Sequence, residues 1–260
     1  MARADLAQGF FLAQVFRGFA YPWRGLGFVY GKHPSLIRYT VFQVLLTVAV
    51  FAAVIVGWSA SYDSIAGLLW SRPESAWLVW LWYLYRIVAA LALAVVGYFV
   101  FIVLVGIVCA PFNSKLSQKV ETLLTGRLPP STGFADEVRE AIRDIRVALG
   151  KVFFYAMVML PVFLIGLLVP GLGQILLVVF GWLFTALYLS LDYLDWPLSR
   201  RRIGFGDRLS YLKRHRWPML GFGAAAFLLL WIPVLSFFLV PAAVAGGTLL
   251  FVDLGDRVEN

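Results

Sequence analysis

The run His33-Pro34-Ser35-Leu36-Ile37-Arg38 holds the sharpest chemistry in this 260-residue chain. Proline is favoured at the first position of a helix, where its missing N–H would have no partner anyway. A helix opening at Pro34 presents the amides of Ser35 and Leu36 at its positive end, with the Arg38 guanidinium about one turn further on. Backbone amides, a helix dipole and a guanidinium converging on one spot make an oxyanion site. Arg24 and Lys32 are near enough in sequence to add positive charge to it. The same residues also admit a plainer role, in which Lys32 and Arg38 anchor a membrane helix to lipid headgroups.

Other chemistry is sparse. Asp192 and Asp195 stand one helical turn apart on a shared face. They read either as a carboxylate pair able to act on lipid headgroups or as the charged end of an apolar helix beside Arg200-Arg201-Arg202, the second being the simpler account. Two histidines, His33 and His215, and one cysteine, Cys109, are too few for a metal cage of His and Cys type. There is no nucleophile elbow and no phosphate-binding Gly-Lys-Ser/Thr loop, and Gly25-Leu26-Gly27 has Tyr30 where a dinucleotide fingerprint needs its third glycine. No enzyme, metal or cofactor is expected.

The elements that position these residues are set by composition. The chain is 62% apolar and 17% aromatic, with only 14% charged residues, against roughly 25% in soluble domains. A mean hydropathy of +0.85 points the same way: this is an all-α polytopic membrane protein, a single membrane domain over 1–260. Its net charge of +8 implies a face against anionic lipid or a route for anions, and no nucleic acid.

Charge at mid-bilayer is costly, so charge-free stretches mark the spans. They run over 39–62, 87–114, 152–191 and 217–252. The first two predict spanning helices at 34–58 and 84–112. The third is divided by Pro170-Gly171-Leu172-Gly173 into arms of about 18 residues, ~27 Å of helix. The fourth contains Pro233 and Pro241, and a turn near Ser236 leaves arms of ~25 Å or less. Helical hairpins at 152–192 and 217–253 that enter the bilayer without crossing it follow from those lengths, and their turns are expected to be buried among other helices or to face a polar cavity. Each hairpin has a proline near its turn and ends in an aspartate-bearing segment, a weak internal repeat.

If both hairpins return to the side they left, all of the 22 Lys and Arg residues except Arg72 and Arg86 face one side, which the positive-inside rule makes cytoplasmic, with both termini. Trp77, Trp80, Trp82, Tyr83 and Tyr85 suit an aromatic belt at the outer interface. Asp5 interrupts the start, so no cleavable signal peptide is expected. Segment 1–32 reads as an interfacial amphipathic helix carrying Phe10, Phe11, Phe16 and Phe19. Segment 113–151 reads as cytoplasmic helices, the last of them amphipathic from Asp136 to Val152.

Cys109-Ala110-Pro111-Phe112-Asn113, Val169-Pro170-Gly171-Leu172-Gly173-Gln174, Tyr193-Leu194-Asp195-Trp196-Pro197 and Ile232-Pro233-Val234-Leu235 with Gly246-Gly247-Thr248 occur in this order. From about Gly18 to Asp256 the chain thereby resembles the CysZ-type sulfate transporter family, related to the etoposide-induced membrane proteins. The resemblance implies a bacterial inner-membrane protein that takes up sulfate for cysteine synthesis, built from two long spanning helices and two half-penetrating hairpins. It also implies a sulfate site at the start of the first long helix, in a segment reading roughly Gly-Leu/Ile-Arg-Arg. Ser35 stands at the glycine, Leu36 and Arg38 match, and Ile37 replaces the first arginine. A hydrogen bond to a charged group contributes roughly 1.5–3 kcal/mol, so that replacement bears directly on affinity. Sulfate or a related oxyanion and the lipid bilayer are the expected partners, and a homo-oligomer is compatible with the sequence. The alternative is a non-transporting scaffold or lipid-interacting protein of the same fold.

Overall fold

The computed structural model describes residues 10–126, 134–231 and 233–255, and every regular element among them is helical. Four helical stretches are long and apolar enough to cross a membrane: Pro34–Leu68, Trp77–Thr125, Arg146–Leu168 and Leu172–Arg200. The chain divides into two compact units, Val41–Phe112 and the remainder.

Val41–Phe112 belongs to two helices, α3 (Ile37–Leu69) and α4 (Ala76–Thr125). They run antiparallel and meet through side chains: Phe42 stacks on Phe112, Thr47 lies 3.8 Å from Cys109 Sγ and Phe51 meets Phe101 edge-on. The Tyr62 phenol donates to the Arg86 carbonyl at 2.8 Å and the Tyr85 phenol to the Ala66 carbonyl at 2.7 Å. At the same end Arg86 pairs with Asp63 and lies over the rings of Tyr62 and Trp82. Elsewhere Leu45, Val48, Ile87, Leu91 and Phe99 point outward, the pattern of helices whose solvent is hydrocarbon. Both helices outrun the expected spans 34–58 and 84–112. Charge marks where the hydrocarbon ends, but nothing breaks the backbone there, and α4 continues through Pro111 into the polar stretch ending at Thr125.

The second unit begins with α1 (Phe11–Phe19) and α2 (Tyr21–Leu26), so the expected single amphipathic segment is two helices with Pro22 in the first turn of the second. Residues 1–9 of the expected 1–32 segment lie outside the described residues. A π-helical turn, Gly27–Lys32, and a 3-10 turn, Pro34–Leu36, lead into α3. After α4 come α5 (Phe134–Leu168), α6 (Leu172–Arg200), α7 (Phe205–Arg214), α8 (Arg216–Leu230) and α9 (Pro233–Leu254). The helix expected to end at Val152 is continuous with the first arm of the hairpin: Gly150 does not break it, and a methyl group there would meet the Phe205 ring.

Helix α1 packs on α8, α2 on α9 and α6 on α8. These crossings are close because small residues meet at them. A methyl group on Gly18 would overlap the Pro218 carbonyl, and one on Gly221 the Val15 carbonyl. One on Gly223 would overlap the Ala186 carbonyl, next to the Ser190 hydroxyl that donates to the Met219 carbonyl. The core around them includes Tyr21, Leu36, Leu194, Met219 and Phe222.

Two expectations about the turns are corrected. The first hairpin reverses at Val169–Gly171, as its Pro-Gly cluster requires, and Gly171 takes φ +81°. The turn is not buried, however: Leu172 is 77% exposed and Leu168 76%. It needs no neighbours because it closes its own hydrogen bonds, from Gly173 N–H to the Val169 carbonyl (3.0 Å) and from Ile175 N–H to the Gly171 carbonyl (3.2 Å). The second hairpin breaks before Pro233, not near Ser236, and Pro233 opens α9. Pro241 does not interrupt that helix. Three residues before it, the Phe238 carbonyl accepts a 2.7 Å bond from the Tyr30 phenol, next to the ladder position that a proline vacates.

Candidate anion site

Pro34 opens the helical stretch that runs on into α3, as its place in the sequence predicts. Leu36 is 1% exposed and anchors this start in the core beside Tyr21 and Val29. Ser35 and Arg38 remain on the surface. The Leu36 N–H donates to the His33 carbonyl at 2.9 Å and the Ile37 N–H to that of Pro34. Leu36 is thereby withdrawn from the expected pair of amide donors, since a 3-10 turn closes its bonds one residue sooner than an α-helix. Ser35 is the amide of that pair that stays at the helix mouth.

The Arg38 guanidinium lies over the Tyr39 ring, 5.1 Å from its centroid, with Nη2 3.4 Å from the phenol oxygen. Tyr30, whose phenol is 3.4 Å from Thr40 Oγ1 and bonds the Phe238 carbonyl, ties this helix start to α9, and burial raises its titration above the ordinary tyrosine range. Lys32 is exposed at the end of the π-helical turn. Arg24 is exposed on α2, its guanidinium 4.9 Å above the Tyr21 ring. Ser35, Leu36 and Arg38 thus share one helix start, while Lys32 ends the preceding π-helical turn and Arg24 lies on α2.

Two charged clusters escape sequence reading. Glu121 on α4 accepts from Arg200 and Arg201 at 2.6 Å each, and Arg200 also donates to the Ser117 hydroxyl, itself 2.7 Å from Thr248. Arg200 Nη1 is buried there without a partner among the described residues. Asp192 and Asp195 do share a face, and the ion pairs described for them come from other helices. Lys151 on α5 bonds Asp192 at 2.6 Å and also Asp195, and Arg208 on α7 bonds Asp195 at 2.7 Å. Partners 13 to 131 residues apart leave no local signal; the nearest hint is the unusual placing of Lys151 at the edge of an apolar run. Among the described residues no group of three or more His, Cys, Asp or Glu could hold a metal ion.

Long apolar helices with outward aliphatic faces, cross-linked where charges gather and carrying an exposed guanidinium at a proline-led helix start, define an all-helical membrane protein. A family profile described as "Sulfate transporter CysZ/Etoposide-induced protein 2.4" matches residues 21–241. A "Sulfate transporter CysZ" of Salmonella typhi is 32% identical over 225 residues, covering 85% of this chain and 86% of that protein. A protein of the same description from Pectobacterium atrosepticum is 29% identical over 223 residues, covering 85% and 79%. The chain belongs to the CysZ/etoposide-induced protein family.

Proposed function

We propose that this protein is an anion transporter of the bacterial inner membrane that takes up sulfate to feed cysteine biosynthesis. The observation that carries the reading is the helix start at Pro34, with Ser35 and Arg38 exposed on it, inside the region shared with relatives described as sulfate transporters. The Ser35 amide and the Arg38 guanidinium are the primary sulfate contacts, and Arg24 and Lys32 add positive potential to the approach. Both termini face the cytoplasm. Helix α8 has 15 residues, ~22 Å against ~30 Å of hydrocarbon, which supports an α8 arm that enters the membrane without crossing, while α9 at 22 residues, ~33 Å, is longer than the arm expected from the sequence.

Proteoliposomes containing the purified protein should accumulate radiolabelled sulfate above protein-free liposomes, and Arg38→Ala should lower the rate. Absence of uptake by correctly folded wild type would overturn the reading. Ile37, in place of a second guanidinium, favours the other reading, a non-transporting lipid-interacting protein of this fold. That protein would reconstitute normally and show neither uptake nor stabilisation by sulfate.

A further inference from the structure

Glu121 on α4 is held by two guanidiniums of α6, one on each carboxylate oxygen: Oε2 accepts from Arg200 Nη2 and Oε1 from Arg201 Nη2, both at 2.6 Å. What fixes the guanidiniums is separate from Glu121. Arg200 Nη2 also donates to Ser117 Oγ at 2.9 Å. Thr248 uses its proton on the Val244 carbonyl at 2.9 Å, so the 2.7 Å bond between the two hydroxyls is donated by Ser117, whose oxygen is left to accept from Arg200. Ser117 and Thr248 are fully buried. Arg201 Nη1 donates to the Pro197 carbonyl at 3.1 Å, and its guanidinium lies 4.4 Å from the centre of the Phe251 ring. Both cations are therefore held in place by groups other than the carboxylate.

Two planar forks positioned by their own neighbours and converging on one anion make an oxyanion seat. A carboxylate offers each fork a single oxygen. A tetrahedral dianion offers the same pair of donors two charges and four oxygens. Glu121 stands one turn before α4 ends at Thr125, and a change of rotamer carries its carboxylate away without unwinding the helix. The tether makes Glu121 a strong competitor. An anion that replaces it has to gain more from the two forks than a carboxylate does, and double charge supplies that gain. Solvent reaches the seat along Arg201, whose side chain is 34% exposed against 16% for Glu121.

We propose that Arg200 and Arg201 form an oxyanion seat, closed in the resting protein by Glu121 and taken by a doubly charged tetrahedral oxyanion such as sulfate when that side chain swings out. Glu121 is then a built-in competitor, which weakens the apparent affinity by the fraction of time the seat stands open. The seat shares no residue with the helix start at Pro34. Its part in transport rests on the function proposed above, whereas its binding chemistry does not.

The test is thermal unfolding of the full chain in neutral detergent on an Arg38→Ala background, which removes the guanidinium of the Pro34 site. Sulfate, chloride and dioctanoyl phosphatidylglycerol are titrated at matched ionic strength. Glu121→Gln keeps the shape and removes the competing charge, so its sulfate midpoint should lie about tenfold or more below that of the protein with Glu121. Chloride and phosphatidylglycerol, each singly charged, should not reproduce the effect. Adding Arg201→Gln should raise the midpoint again, by about tenfold. If Glu121→Gln does not fold, Glu121→Asp, which draws the charge back by one methylene, should still tighten the midpoint by about threefold. Equal midpoints with glutamate and with its replacement would overturn the proposal and leave Glu121 as a tie between α4 and α6. So would a response to chloride or phosphatidylglycerol as large as that to sulfate, and so would a midpoint that Arg201→Gln does not move. Tightening by Glu121→Gln in a protein that shows no sulfate uptake would uphold the seat and overturn transport.

Discussion

The Tyr21 phenol donates a 2.8 Å hydrogen bond to the Asp253 carboxylate, joining residues 232 positions apart. It fixes α2 to the last turn of α9, and Tyr21 is 1% exposed. Burial first, and the Asp253 carboxylate second, raise the phenol's titration well above the ordinary tyrosine range.

Tyr21→Phe removes this bond while keeping the ring, and a bond to a charged acceptor contributes about 1.5–3 kcal/mol. Thermal unfolding should show that loss at pH 7. The sign of the pH dependence follows from the raised native pKa: the contribution is complete below the unfolded value of about 10 and declines as pH rises beyond it. The gap between wild type and Tyr21→Phe should therefore be constant from pH 6 to 9 and narrow in more alkaline solution.

Arg38 separates headgroup anchoring from oxyanion binding. An anchor needs only a cation, so Arg38→Lys would leave sulfate-dependent stabilisation unchanged; a planar fork gripping sulfate loses affinity with lysine, and with alanine by about tenfold or more. Ile37→Arg, which supplies a second guanidinium next to the first, should tighten sulfate about tenfold. Thermal titrations with sulfate, phosphate and chloride on the three variants and wild type read both effects.

Lys151 is 8% exposed in its side chain and neutralises two carboxylates, whereas Asp192 is 53% exposed in its own. Lys151→Met leaves Asp195 with Arg208 alone, and breaking a buried pair on one side costs about 3–5 kcal/mol. Asp192→Asn should cost about 1 kcal/mol or less. Folded yield by size-exclusion chromatography and Tm should rank the two variants in that order.

Gly18 and Gly221 sit where α1 and α8 nearly touch, so Gly18→Val or Gly221→Val should abolish folded protein. Gly206→Ala, with open space around it in α7, should be neutral or stabilise by up to about 1 kcal/mol. A Gly221 variant with normal yield and Tm would show that the crossing tolerates separation.

Topology is tested on a Cys109→Ala background. A cysteine at Ser61 should react with an impermeant maleimide in intact spheroplasts, and one at Ser131 only after permeabilisation. The reverse result would invert the orientation.

Much of this architecture is readable before any coordinates. Long charge-free stretches give away the apolar helices because hydrocarbon excludes charge, and Pro170-Gly171 gives away a reversal because Gly171 must take a left-handed conformation there. Helix ends are less legible: hydropathy records the surrounding solvent, while α3 and α4 are continued by backbone bonds that persist past Asp63 and Lys115. The turn at 169–171 satisfies its own backbone groups, and no residue type in it signals that. Pro34 is a local feature, and a helix start at a proline is legible without tertiary information. The fate of the Leu36 amide depends on one 3-10 bond, and the Glu121 and Lys151 clusters depend on tertiary packing, so neither has a sequence signature.

The exposed hairpin and the glycine crossings impose opposite rules on how this chain can diverge. Ile87, Leu91 and Phe99 face outward, and any side chain that dissolves in hydrocarbon serves there, so these positions can drift widely while looking anything but neutral to a hydropathy plot. Gly18, Gly221 and Gly223 carry no chemistry at all, yet a single added carbon collides with a carbonyl. Descendants of this sequence should therefore exchange their bulkiest residues freely and keep their smallest.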